Sequence, residues 1–450
     1  MRNISYNQID KNYYLSKKMH KKIFLLSLPL VLSNITLPLV GIVNTALIGH
    51  LHNSSYLAST TLGVSFVMLI CFLFSFFRMS VTGLIAQKIN QTSIEDLAVL
   101  ITRALIVAFV IAVIILLIKP LLLMIYLSLI IADTTVVAMV TNFYNVGIYL
   151  IVFYLLNYIF IGFFIGVGKT KVIFYSSLVT MVVALFSSTF FILQCDMNVI
   201  GVAYSLLIAY FITSVFLVVC TVRYFASNNL DYKKLHQLIN LWNYKEYVPF
   251  LKLNGDIFIR SVCLLLSFNS FYVFSSGYGS DVLSANAILV EISLFMAMFL
   301  DALANATESL VGQAYVDKNK VYLKEVVIKT FIQCMFITLF CVVVYVIFKN
   351  QIVGLFTSIE PVKIEIDKYI LFSILLPIVA SVSFWMDGVF VGMLKTIAMR
   401  NAMILSSIVY VVAVYALFDL GNYGLWIALI IFYVARAVFL SFQLKIYFKI

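Results

Sequence analysis

Twelve long apolar runs separated by short polar connections make up almost the whole chain, near residues 23–48, 57–87, 97–127, 136–167, 172–194, 199–223, 247–275, 282–312, 324–348, 366–394, 398–418 and 424–447. Each is long enough to cross the hydrocarbon core as an α-helix, which takes about 20 residues. The runs are continuously apolar and lack the alternation of lipid-facing and lumen-facing residues that marks a barrel strand. The pattern predicts an all-α membrane protein with twelve transmembrane helices.

The polar residues that interrupt these runs carry the chemical information, because an ionised group in hydrocarbon is costly unless it faces protein or a wet cavity. The eighth run holds Glu291, Asp301 and Glu308, and at about 100° per residue their spacing puts all three within one arc of a helix. That face is expected to line a pocket instead of lipid; for Glu308, near the end of the run, contact with interfacial water is the competing reading. The seventh run carries Asp256, Arg260, Cys263, Ser267 and Ser270 at helical steps of four and three, a polar stripe. Asp256 and Arg260 can also pair across one turn, so a purely structural ion pair competes with a functional role. Ser373, Pro377, Ser383 and Asp387 lie close to one face of the tenth run. The first run contains Pro29, Pro38 and Gly41 together with Asn34 and Asn44. Prolines release backbone carbonyls that neighbouring helices or cavity water must satisfy, which predicts a bendable helix bordering a cavity, against an ordinary packing kink. Arg78 and Arg436 are expected to snorkel or pair.

Sliding the chain along itself by 226 positions brings two separate segments into register: Leu57, Leu84 and Gln87 fall on Leu283, Leu310 and Gln313, and Gly162, Gly166, Lys169 and Thr170 fall on Gly388, Gly392, Lys395 and Thr396. The repeat predicts two pseudo-symmetric six-helix bundles, and an even number of spans per half gives both the same orientation about an axis along the membrane normal. The expected division is a cytoplasmic tail at 1–22, an N-lobe at 23–224, a polar cytoplasmic linker at 225–246 and a C-lobe at 247–450. Residues 1–22 lack an apolar core, so they read as a tail and not as a cleaved signal.

Composition agrees: 64% of the 450 residues are hydrophobic, 11% are charged and the mean hydropathy is +1.09, outside the range of soluble domains. The net charge of +11 reports topology and not nucleic-acid binding. The odd-numbered connections and the span ends beside them carry only Lys119, Lys349, Lys363 and Lys368, which places both termini in the cytoplasm by the positive-inside rule. The six cysteines are scattered without CxxC spacing and read as packing residues. All four histidines lie in tails or connections, and no HExxH, GxSxG or P-loop spacing is present; Gly162–Thr170 ends in Gly-Lys-Thr but with the wrong spacing. No enzymatic activity and no cofactor are expected, so uphill movement would have to draw on an ion gradient.

These residues resemble the multidrug and toxic compound extrusion (MATE) transporters, specifically their DinF-like branch, over about residues 23–445. The resemblance is carried by Leu28-Pro29 and Val43-Asn44-Thr45-Ala46-Leu47-Ile48-Gly49-His50-Leu51, by Phe77-Arg78-Met79 with Thr82-Gly83-Leu84 and Ala86-Gln87, and by Asn254-x-Asp256-Ile257-x-x-Arg260. It continues through Ala285-Asn286-Ala287, Asp301-Ala302, Glu308 to Ala314, Trp385-x-Asp387-Gly388 and Gly424-Leu425-Trp426. It implies a two-lobed, cation-coupled exporter of amphipathic, cationic organic compounds, opening alternately to either side of a bacterial inner membrane. One position departs from the pattern: Asn44 stands where the family commonly has an aspartate regarded as the proton acceptor of the N-lobe, and an amide does not titrate near neutral pH.

The expected assignment is therefore H+ or Na+ coupling in the C-lobe through Asp256, Glu291, Asp301, Glu308 and Asp387, with Arg260 as charge partner and Na+ held by Asp256 and Asp387. Asn34, Asn44 and Asn157 with N-lobe aromatics would line the substrate cavity. The expected partners are small organic substrates and the lipid bilayer, without nucleic acid, for a chain acting as a monomer. Two alternatives stand beside this: a lipid-linked precursor flippase of the same superfamily, weakened by Arg260 being the one basic residue in the middle of a C-lobe span, and a transporter-like scaffold or receptor that has lost coupling.

Overall fold

The structure is a computed structural model that describes residues 6–49, 54–129, 133–231, 233, 243–317 and 319–448. His50, Leu51, His52, Lys234 and His236 lie outside the described residues. Among the described residues sixteen α-helices follow one another: α1 Tyr6–Gly49, α2 Ser54–Leu73, α3 Phe76–Lys88, α4 Ile94–Leu117, α5 Lys119–Leu129, α6 Thr134–Gly147, α7 Leu150–Gly166, α8 Thr170–Thr189, α9 Asn198–Ser227, α10 Val248–Ser276, α11 Ser280–Val316, α12 Lys320–Ile347, α13 Lys349–Phe356, α14 Glu360–Gly392, α15 Thr396–Ala416 and α16 Asn422–Phe448. Among the described residues eleven membrane-spanning segments meet the requirements of length and apolarity, and α6 with α7 supplies a twelfth across a 46° bend. The helical reading of the apolar pattern holds throughout.

Local chemistry explains where the helices start and break. Ser93 and Asp96 form a reciprocal capping box that opens α4, and Asn319 Oδ1 accepts from the Val321 and Tyr322 amides at 3.1 Å to open α12, satisfying donors that a helix start otherwise leaves orphaned. Between α2 and α3 the ladder tightens to i→i+3 bonds, with Ser75 N on Phe72 O at 2.9 Å and Arg78 N on Ser75 O at 3.1 Å. The second span is thus one rod with a 3₁₀ step in it. The bend between α6 and α7 follows the same device, Ile151 N on Ile148 O at 3.1 Å, next to Gly147, where a Cβ would press on Phe143 at 3.1 Å.

Two compact units result, Leu32–Leu251 and Met1–Val31 with Lys252–Ile450; they are called here the N-lobe and the C-lobe. The boundary differs from the sequence-based one in the first span. Residues 23–31, expected in the N-lobe, pack with the C-lobe, where Gln333 Nε2 also donates to His20 O at 2.9 Å. Amphipathicity could not assign them, because every face of this helix is apolar enough for lipid.

The repeat is exact at its tightest point. A Cβ at Gly162 would lie 2.5 Å from Arg78 O, and a Cβ at Gly388 would lie 2.5 Å from Ala304 O; Ala304 is Arg78 shifted by 226. Gly166 meets Ile85 and Thr82 O, while Gly392 meets Val311 and Glu308 O, again the same positions under the same shift. Each lobe is thus built on a helix pair, α3 with α7 and α11 with α14, that approaches to backbone contact through glycines, as small residues permit in membranes. After each pair the chain turns through the left-handed region, at Gly168 (φ 74°) and at Leu394 (φ 56°). The following lysines share one conformation, φ −96° and ψ 50° at Lys169 and φ −95° and ψ 54° at Lys395. The C-lobe therefore tolerates at Leu394 a conformation that costs a side-chain-bearing residue about 1–2 kcal/mol.

The C-lobe core gathers Phe271, Tyr410, Trp426 and Phe432. Asn286 crosslinks it: its Oδ1 accepts from Trp426 Nε1 at 2.8 Å, and its Nδ2 donates to Ser275 Oγ and to Asn422 Oδ1, both at 2.7 Å. Two of the family-like motifs, Ala285-Asn286-Ala287 and Gly424-Leu425-Trp426, thus meet as one hydrogen-bonded joint.

Gly162→Ala and Gly388→Ala are each expected to lower stability by about 1–3 kcal/mol, the range for overpacking a close contact, and to do so by similar amounts because the contacts are equivalent. Gly255→Ala, whose added methyl would meet nothing within 4 Å, is expected to leave Tm unchanged or slightly raised. Thermal unfolding of the purified protein in detergent measures all three.

Candidate functional site

The N-lobe encloses a cavity of about 330 Å³ walled by α1, α2, α7, α8 and α9. Gly41 and Asn44 open α1 onto it, and Tyr154 and Tyr210 form its far side. The two tyrosine rings stack with centroids 4.3 Å apart and their hydroxyls are 2.6 Å apart. Tyr154 Oη also donates to Met68 Sδ at 3.2 Å. Asn44 is 6% exposed, and its Oδ1 has no hydrogen-bond partner among the described residues. A buried acceptor left in that state is costly unless something in the cavity serves it. Among the described residues that line this space none is charged.

Of the three asparagines expected here, only Asn44 lines the cavity. Asn157 sits behind the wall, where its Oδ1 accepts from Ser214 Oγ at 2.8 Å and its Nδ2 reaches Tyr210 O at 3.4 Å. It ties α7 to α9 and backs up Tyr210. Asn34 is half-buried and outside the lining.

The same shift of 226 locates the corresponding place in the C-lobe. Val64, Met68 and Tyr154 become Val290, Leu294 and Ala380, which border a hollow of only about 20 Å³. In the last helix of each half the shift is 223, which lays Gly201, Tyr210 and Val215-Phe216-Leu217 on Gly424, Tyr433 and Val438-Phe439-Leu440, and Tyr433 borders the C-lobe hollow as Tyr210 borders the N-lobe cavity. Arg436, at the place of Thr213 in this register, is 1% exposed. Arg436 Nη2 and Arg260 Nη2 both donate to Asp387 Oδ2, and the Arg436 guanidinium stands 6.0 Å from the Phe384 ring centroid. Asp387 is thus clasped by α10 and α16.

The structure distributes the five C-lobe acids differently from one shared wet pocket. Asp256 does not pair with Arg260 one turn away: its Oδ1 accepts from Arg400 Nη1 at 2.6 Å and its Oδ2 from Thr396 Oγ1 at 2.9 Å, both on α15. Arg260 is drawn instead to Asp387. Glu291, Asp301 and Glu308 follow one arc of α11 as the periodicity predicts, but the arc runs from exposed Glu291 through half-buried Asp301 to Glu308 at 1% exposure. Asp301 Oδ2 accepts from Asn305 Nδ2 at 3.3 Å, and its charge acts on Arg260. None of the five lines the hollow that corresponds to the N-lobe cavity. Arg436 does not snorkel, and it joins Arg260 as a second buried C-lobe arginine. Na+ does not fit at Asp256 or Asp387 as expected, because a cation approaching either carboxylate meets guanidinium groups of like charge, and among the described residues no three acidic, histidine or cysteine side chains converge as a metal site would require.

Sequence reasoning missed Arg400 and the roles of Tyr154, Tyr210 and Arg436. The internal repeat was the available signal, since it superposes Thr213 on Arg436 and Tyr154 on Ala380 and marks both positions as ones that differ between halves.

The fold and this arrangement define a multi-pass membrane transporter, and comparison with known proteins identifies the type. The family model described as MatE matches residues 29–190 and 257–416, one match to each half, and the chain belongs to that family. It is 28% identical to DNA damage-inducible protein F of Escherichia coli (strain K12) over 421 residues, which is 94% of this chain and 91% of the relative. Among solved structures, a MATE protein in complex with MaD3S aligns with TM-score 0.85 at 17% identity over 96% of both chains. An outward-facing multidrug resistance MATE family transporter of the MOP superfamily aligns with TM-score 0.81 at 17% identity, also over 96% of both. A MOP superfamily transporter from Pyrococcus furiosus, described as having a binding pocket of reverse polarity, aligns with TM-score 0.81 at 18% identity over 96% of both.

Removing Asp387 would leave two buried arginines sharing no anion. Asp387→Asn is therefore expected to destabilise the protein by about 3–5 kcal/mol, and Arg436→Met by less because Arg260 still answers the carboxylate. Replacing all three with Leu, Met and Met is expected to restore most of the loss, since an apolar core of similar volume avoids the desolvation penalty. Chemical denaturation in detergent reads the series.

Proposed function

We propose that this chain exports amphipathic organic compounds across a bacterial inner membrane by alternating access, with both termini in the cytoplasm, and that the N-lobe cavity binds them. The observation that carries the reading is the asymmetry between equivalent places: about 330 Å³ of open space in one lobe and about 20 Å³ in the other. Ligand pockets are concave, mostly apolar and equipped with a few placed polar groups, and the N-lobe cavity with Asn44, Tyr154 and Tyr210 has that character. The multidrug resistance described for one structural relative supports the same direction.

Export against a gradient needs a coupling ion whose binding favours one conformation over another by differential affinity. In this reading the C-lobe supplies it through Asp301 and Glu308. Asp256 and Asp387 hold the lobe together, because guanidinium groups already hold one oxygen of each. The flippase alternative gains nothing from the second buried arginine, since Arg260 and Arg436 are spent on Asp387.

Two experiments test the proposal. Thr45→Phe with Leu206→Phe places two rings in the lining and should close the cavity; in an efflux-deficient host the variant is expected to lose at least about tenfold in compound export, equivalent to about 1.4 kcal/mol of binding, while remaining folded. Unchanged export would remove the cavity from the transport path. In proteoliposomes, Asp301→Asn and Glu308→Gln are expected to abolish export driven by a pH or Na+ gradient, and full gradient-driven export in both would end C-lobe coupling.

A further inference from the structure

A groove of about 440 Å³ lies against the first turns of α12, where Lys320, Val321, Lys324, Glu325, Ile328 and Lys329 form its wall. Its polar part is cationic. Among the described residues the one carboxylate in this wall is Glu325, and Lys329 Nζ, one turn further along, engages it. Lys329 is 9% exposed, a burial that lysine tolerates only when paired. Asp317, at the end of α11, is outside the wall. Lys320 and Lys324 are exposed, and with Glu325 spent on Lys329 nothing in the wall answers their charge. Residues four apart on a helix stand about 6 Å from one another, close enough for two ammonium groups to share one phosphate.

The rest of the groove is apolar and continues beyond it. Val321 and Ile328 are exposed, and the row at steps of four from Lys324 runs on through Ile328, Ile332, Phe336 and Phe340, all exposed. Such residues lie one above another on the same side of a helix. One ridge of α12 therefore carries cations at its start and bare apolar side chains below them. Its first ten residues cover about 15 Å, half of a hydrocarbon core about 30 Å thick, and the helix is one of the membrane-spanning segments. A water-soluble anion would reach the lysines but not the ridge. A molecule that itself lies in the bilayer reaches both.

We propose that this groove binds an anionic phospholipid, with its phosphate shared by Lys320 and Lys324 and an acyl chain against Ile328 and Ile332. Basic pockets at the membrane surface recognise such headgroups by charge. Because α12 starts after the eighth span, the lipid belongs to the leaflet on the side of the termini, the cytoplasmic one in the reading above. The site is on α12 alone and does not depend on what the N-lobe cavity binds or exports.

The test is native mass spectrometry of the purified full chain in detergent, titrated with phosphatidylglycerol or phosphatidylcholine of identical acyl chains. The first phosphatidylglycerol is expected to bind at a concentration at least about tenfold lower than phosphatidylcholine, the scale of two lysines acting on one anionic headgroup. Lys320→Gln with Lys324→Gln is expected to erase that preference. Lys169→Gln with Lys171→Gln, which removes two exposed lysines after the fourth span, is expected to keep it. Ile328→Ser is expected to weaken both lipids by a similar factor. Inorganic phosphate and glycerophosphoglycerol, which carry the charge without the acyl chains, are expected not to displace the bound lipid. Equal binding of the two lipids, a preference that survives loss of Lys320 and Lys324 or falls equally with Lys169 and Lys171, no effect of Ile328→Ser, or displacement by either soluble phosphate each overturns the proposal. The lipid comparison and the displacement use the unaltered protein, so they decide the matter even if a variant fails to fold.

Discussion

A charge inside a membrane protein must be answered by another charge, and that constraint separates the two halves of this molecule. Two guanidinium groups converge on a single oxygen of Asp387, joining α10, α14 and α16 through the middle of the C-lobe. Such clusters contribute less to stability than to specificity. Here they fix which faces of three helices meet, in a setting where apolar contact alone discriminates poorly because lipid is as apolar as the core.

The two lobes share a skeleton and diverge in what fills it. Glycine-mediated contact between α3 and α7 and between α11 and α14 is the same to within the tolerance of a methyl group, so the duplicated frame has been kept where the backbones touch. A few ångströms away the duplicates part. Ala380 stands for Tyr154, Asp387 for Ile161 and, in the last helix, Arg436 for Thr213. The consequence is a division of labour in which one half keeps a space and the other is filled with its own side chains.

The stability of the C-lobe and the emptiness of the N-lobe are connected through function. The proposed alternating-access mechanism needs parts that move as rigid units around a site. Ion pairs at Asp256 and Asp387 and the Asn286–Trp426 joint give the C-lobe internal rigidity. The N-lobe cavity is instead bounded by α1, whose Gly41 has no neighbour within 4 Å on its open side, and by α7, which follows a 46° bend from α6. The less tightly filled elements surround the place where a ligand would sit, as low-stability regions commonly do.

The apolar runs, the charge asymmetry of the connections and the internal shift determined the helical class, the twelve-span count and the two-bundle plan, because these depend on one-dimensional quantities: hydrocarbon thickness, backbone self-satisfaction and duplication. The arc shared by Glu291, Asp301 and Glu308 was also legible, since helical phase is local. Tertiary structure alone decided that this arc passes from the surface into the core, that Arg260 turns to Asp387 and Arg400 to Asp256, and that residues 23–31 pack with the C-lobe. Pairing across helices depends on which faces meet. In a chain apolar on every side, facing is set by packing between helices, and no periodicity in the sequence encodes it.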